Sequence, residues 1–121
     1  MPSRHHALVQ ALADGALATP GQLDPALRRA AFLRAGELAF AAATDYLREP
    51  GAPAAALPPA LLAFVEKLAR APGAMAREDV SGLREAGLSE EMIFELVTAA
   101  SVGAGLARLQ LALRAVAAPR E

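Results

Sequence analysis

The chain has 121 residues, 55% hydrophobic and 21% charged, a globular composition sized for one domain, residues 1–121. A formal net charge of −1 gives no overall field to gather nucleic acid or acidic lipid. The lack of cysteine removes disulfides, thiolate catalysis and thiolate metal ligands together.

Alanine supplies 32 residues, whereas β-branched and aromatic residues are few (six Val, one Ile, four Phe and one Tyr). Little is left from which to build strands, and the fold class is read as all-α, about five helices. Residues 3–17 predict a modest amphipathic helix with Leu8, Val9, Leu12 and Ala16 on its inner face, which Asp14-Gly15 can end early. The short apolar run at the N-terminus is interrupted by Gln10 and Asp14, so no signal peptide is read there and a cytoplasmic location is expected. After the turn signal Thr19-Pro20-Gly21, Asp24-Pro25 opens a second helix with an N-cap acceptor and a proline at the first helical position. Its expected buried face is Leu27, Ala31, Ala35, Leu38 and Ala42, running to about Leu47. Arg28, Arg29, Arg34, Glu37 and Asp45 lie mostly off that face, and Gly36 weakens the helix's continuity.

Residues 49–58 form a linker rich in proline, alanine and glycine. Pro58-Pro59 starts a third helix with a stripe of Leu61, Val65 and Leu68, widened by Leu62 and Ala69 and stopped at Pro72-Gly73. A short helix from Arg77 to Ala86 follows, with Glu78 and Asp79 in its first turn, where the helix dipole favours acids. Gly87 falls where a left-handed conformation ends that helix, Leu88 can fold back on Leu83, and Ser89 caps the next helix at once.

The last helix, Ser89 to Val116, carries no charge between Glu95 and Arg108, and only Thr98 and Ser101 can hydrogen-bond there. Without a polar face to turn outward, burial on nearly every side is expected. Its twelve uncharged residues fall short of the roughly 20 that span a bilayer, so the expected neighbour is protein and no membrane is called for. A homo-oligomer (dimer, trimer or hexamer) is expected, joined through Leu96, Ala99, Ala100, Gly103, Leu106 and Ala107.

No motif of catalysis emerges. His5 and His6 are adjacent, so on a helix they point about 100° apart and do not chelate, and no metal or other cofactor is expected. Glu66 and Glu95 sit in apolar surroundings (FVEKL and IFELV). Partial burial would suit either to general acid–base work, with Tyr46 or Arg108 assisting, on a small organic acid or lactone. The structural alternative pairs Glu66 with an arginine of a neighbouring helix, such as Arg108. Asp79 to Val102 has the outline of a helix–turn–helix, but the second helix begins Ser89-Glu90-Glu91 and offers no Arg, Lys, Asn or Gln before Arg108. It would present acids to phosphates and nothing to base edges, so no nucleic acid is expected.

From Leu57 to Val116 the chain resembles the alkylhydroperoxidase-like, carboxymuconolactone decarboxylase-type proteins. The likeness rests on Leu57, Pro58, Phe64, Val65, Lys67, Leu68, Glu78, Asp79, Val80, Leu83, Arg84, Ala86, Gly87, Leu88, Ser89, Ile93, Glu95, Val97 and Arg108. The resemblance implies an all-helical, oligomeric fold. It also marks departures: the peroxidase branch uses Cys-x-x-Cys-x-x-His and the decarboxylase branch a histidine, and neither is matched here. Ala76 stands where the pattern has a threonine cap. The expectation is a peroxidase-related, non-catalytic homo-oligomeric or protein-interaction module, with any small-molecule ligand unspecified.

Overall fold

A computed structural model describes residues 4–39 and 57–117, with side chains from residue 7 to 39 and 57 to 116. Those residues form five α-helices: α1 (Arg4–Ala18), α2 (Pro25–Ala39), α3 (Pro59–Arg70), α4 (Arg77–Glu85) and α5 (Glu90–Ala117). A single 3-10 turn, Pro72–Ala74, separates α3 from α4. No strand occurs among the described residues, in keeping with an all-α class. The expected stretch of the second helix beyond Ala39, with Tyr46 and most of the linker, lies outside the described residues, as do the His5 and His6 side chains.

Local signals set most of the boundaries. The Asp24 carboxylate accepts the Ala26 N–H at 2.9 Å and its carbonyl accepts the first backbone bonds of α2, so the cap acts as its residue type dictates. Gly36 does not interrupt α2; it is buried within it. Nor does Asp14-Gly15 end α1, which continues to Ala18 and closes with the Thr19 hydroxyl donating to the Gly15 carbonyl at 2.6 Å.

The α4–α5 junction follows the expected pattern. Gly87 has φ of +99°, Leu88 N–H donates to the Leu83 carbonyl (3.1 Å) and Gly87 N–H to that of Arg84 (3.0 Å), the two bonds of a Schellman ending. The Ser89 hydroxyl then accepts the Met92 N–H at 3.1 Å. At the start of α4, Ala76 has no side-chain acceptor to cap with, but the Asp79 carboxylate reaches back to the Ala76 N–H at 2.8 Å, half of a capping box.

The core is organised on α2 and α5, whose mutual contact is the most extensive in the fold. On one side of this pair, α3 and α4 close a cluster that includes Leu23, Ala35, Leu61, Val65, Leu83 and Leu96. On the other side, α1 closes a second cluster of Val9, Ala13, Phe32, Ala99 and Leu106. The buried face of α3 is Leu61, Phe64, Val65 and Ala69, with Leu62 and Leu68 only half covered.

Two expectations about inner faces are corrected. On α1 the buried line is Val9, Ala13 and Ala16, whereas Leu8 and Leu12 are 58% and 56% exposed. The small Ala13 lets α1 approach the α2–α5 pair, and the helix turns its leucines aside. On α2, Arg28 is 4% exposed and belongs to the interior. Lying between α1, α3 and α5, α2 has no wide outer face to hold its arginines.

The third correction concerns α5. Leu96, Ala99, Ala100, Gly103, Leu106 and Ala107 are all buried, but within one chain, chiefly by α2 with α1 and α3 alongside. Their burial therefore carries no argument for a second copy. Burial is also not all-round, because Ser101 and Gly105 in the same uncharged stretch are exposed. By length and composition Glu90–Val116 is apolar enough to cross a membrane, longer than the charge-free count suggested. A bundle's central helix meets the same criterion.

Candidate functional site

The two glutamates singled out by the sequence have different fates. Glu95 projects from the second turn of α5 toward the loop between α1 and α2. Its carboxylate accepts the Gln22 N–H at 2.8 Å on one oxygen and the Leu23 N–H at 2.6 Å on the other. Gly21 makes the approach possible, since a Cβ there would collide with the Glu95 carboxylate. Close by, the Ser89 hydroxyl donates to Gln22 Oε1 at 2.9 Å. The loop is thus stitched to the start of α5 at three points, and Leu23 beyond it is carried into the core at 1% exposure. Amide bonds to both oxygens fix the carboxylate in place, which suits a tie between the loop and α5.

Glu66, half-buried on α3, lies 3.6 Å from a guanidinium nitrogen of Arg34 on α2 and 3.6 Å from one of Arg70 on its own helix. The partner from a neighbouring helix is therefore Arg34. Arg108, expected as a possible partner, donates instead to the Ala69 carbonyl at the C-terminal end of α3 (3.2 Å). Among the described residues, Glu95 lines a cleft that Glu66 does not reach, and Tyr46 lies outside the described residues.

Glu95 does border a cleft of about 150 Å³ between α1 and α5, together with Thr19, Arg28, Glu91, Phe94 and Thr98. Arg28 is its least anticipated member. The guanidinium donates from Nη1 to the Thr19 carbonyl at 2.6 Å, covering a carbonyl just past the C-terminal end of α1 where a cation is favoured. Its buried Nε finds no acceptor among the described residues. Arg28 could have been suspected only from its three-residue step to Ala31, because a lone arginine on a helix is ordinarily solvated.

A small-molecule pocket usually needs about 300 Å³ or more, and this cleft is half that size and open to solvent. A second hollow of about 310 Å³ between α3 and α4 is crossed by an ion pair, Lys67 Nζ to Asp79 at 2.9 Å. The Lys67 hydrogen bonds, helped by the Ala76 N–H, hold the Asp79 carboxyl below its ordinary 3.8. Among the described residues no three His, Asp or Glu side chains gather as a metal site would require. Comparison with known proteins gives no further lead. No family model, curated protein or solved structure matches the chain.

Proposed function

We propose that this chain is a non-catalytic helical module that acts by associating with further copies of itself. The observation that carries the reading is an apolar surface left on α1 and α5 after the core has closed. Phe94 is 66% exposed and Val116 83%, with Leu8, Leu12, Leu109 and Leu111 also open to solvent. From Arg108 onward α5 shows leucine, alanine and valine to solvent, and only Arg108 and Arg114 are charged. Large apolar side chains left exposed on two helices that pack together point to an association surface. The surface differs from the one expected from sequence, since the six residues named for that role are internal.

The kinship with carboxymuconolactone decarboxylase-type proteins remains part of the proposal. It is supported by the α4–α5 junction, where Leu83, Gly87, Leu88 and Ser89 perform the turn and cap their positions imply. The alternative of a cysteine-independent enzyme acting through Glu66 or Glu95 gains nothing from the geometry, since one carboxylate lies between two arginines and the other is held by two amides. Sedimentation equilibrium at micromolar concentration tests the association. An assembly of two or more chains is expected; a particle of one chain's mass throughout the range would overturn it.

A further inference from the structure

The outward side of α5 carries a regular pattern of its own. Glu91, Phe94, Thr98, Ser101, Gly105 and Arg108 follow one another at alternating steps of three and four residues, the spacing of a helix–helix seam. All are exposed except Thr98, which is half-buried. They lie opposite the line through Leu96, Ala99, Gly103 and Ala107 that packs inward.

The run complements itself when reversed. Laid antiparallel on a second copy about a two-fold axis between Ala99 and Ala100, Glu91 meets the partner's Arg108, Phe94 meets the partner's Gly105, and Thr98 meets the partner's Ser101. Two-fold symmetry makes each pairing occur twice. Acid faces base, and a phenyl ring faces a position where a Cβ would find nothing within 4 Å. Hydroxyl faces hydroxyl at the centre. The seam spans about 25 Å of helix at 1.5 Å per residue, and antiparallel helices also oppose their dipoles favourably.

The leucines of α1 extend this face. Val9 and Ala13 pack with Ala99, Val102 and Leu106, while Gly15 and Thr19 border Phe94 and Thr98, so α1 runs antiparallel to α5. Leu8 and Leu12 occupy the same side of α1 as Gly15 and Thr19 and therefore flank the seam, their exposed side chains beside it. They widen the contact toward the roughly 800 Å² per partner typical of a stable pair.

We infer that the partner is a second copy of this chain, docked as an antiparallel two-fold pair through Glu91, Phe94, Thr98, Ser101, Gly105 and Arg108 of α5. This rests on the self-association proposed above and gives it a geometry. The test exchanges charges. Glu91→Arg alone and Arg108→Glu alone each place like charges in two layers and are expected to weaken association by about tenfold or more. An equimolar mixture of the two variants restores opposite charges in both layers, as does the double variant, and each is expected to recover wild-type affinity within about threefold.

Because Arg108 also bonds the Ala69 carbonyl, thermal melts accompany the series, and Gly105→Leu provides a second probe. That side chain has open space in a lone chain, so the fold is expected to persist while association falls about tenfold as the hollow for Phe94 fills. Wild-type chains that stay single would overturn the association and this geometry together. Chains that assemble as tightly with either single substitution as without it, or that form a trimer, would overturn the geometry alone. A mixture no tighter than its separate variants would do the same.

Discussion

Gly103 of α5 lies directly beneath the backbone of Phe32 on α2, so close that a Cβ at position 103 would overlap the Phe32 carbonyl group. The missing side chain sets the spacing of the two helices on which both halves of the core are built. Gly103→Ala is expected to destabilise by about 1–3 kcal/mol, although alanine is intrinsically better in a helix by roughly 1 kcal/mol. Gly103→Leu should cost more. Gly105, two residues away, where an added Cβ would meet nothing beyond its own helix within 4 Å, gives the control: Gly105→Ala should stabilise by up to about 1 kcal/mol. Denaturant unfolding of both variants at one protein concentration checks the contrast, and equal effects at the two positions would contradict it.

Removal of the Glu95 carboxylate should act on stability and loop order. Glu95→Ala leaves the Gln22 and Leu23 amides without their acceptor, an expected loss of about 1–3 kcal/mol, while Glu95→Gln keeps one oxygen and should lose less. Amide hydrogen exchange locates the effect: Gln22 and Leu23 should lose protection ahead of the interior of α3. Gly21→Ala should reproduce the phenotype by pushing the carboxylate away.

The ion pair of Asp79 with Lys67 makes stability depend on acid. The folded-state pKa of Asp79 lies below its ordinary 3.8, so the native chain holds this carboxylate charged where the unfolded chain would protonate it. The contribution is present above 3.8 and is lost as pH falls through the lowered folded value. Unfolding midpoints measured from neutral pH into this acid range should fall for the wild type and fall less steeply for Asp79→Asn. Parallel curves for the two proteins would exclude the pair as their source.

Arg28 separates packing from charge. Its stem is buried between α1 and the rest of the bundle, and among the described residues its guanidinium bonds the Thr19 carbonyl. Arg28→Met keeps the stem and sheds a desolvated cation, so a change within about 1 kcal/mol is expected. Arg28→Ala leaves a void and should cost about 2–4 kcal/mol. If methionine proves as damaging as alanine in thermal or urea unfolding, the guanidinium and not its stem is what the fold requires.

Much of this molecule could be read from local chemistry. Asp24 before Pro25, Pro58-Pro59, Gly87 and Ser89 mark helix ends because each acts through bonds to residues within a few positions, and such interactions are complete in the sequence itself. The sequence also showed that Glu95 lies in apolar company and that the middle of α5 needs cover. It could not say what supplies the cover. Periodicity belongs to one helix, whereas the surface it meets comes from a distant part of the chain: Phe32 over Gly103, and Gln22 and Leu23 over Glu95, about seventy residues apart in each case. Only the tertiary structure decided that α2 of the same chain fills the seam assigned to a second copy, that Ala13 and not Leu12 faces inward on α1, and that Arg28 is internal. The physical reason is common to all three: close packing is settled by the shape of two surfaces together, and a sequence pattern describes only one of them at a time.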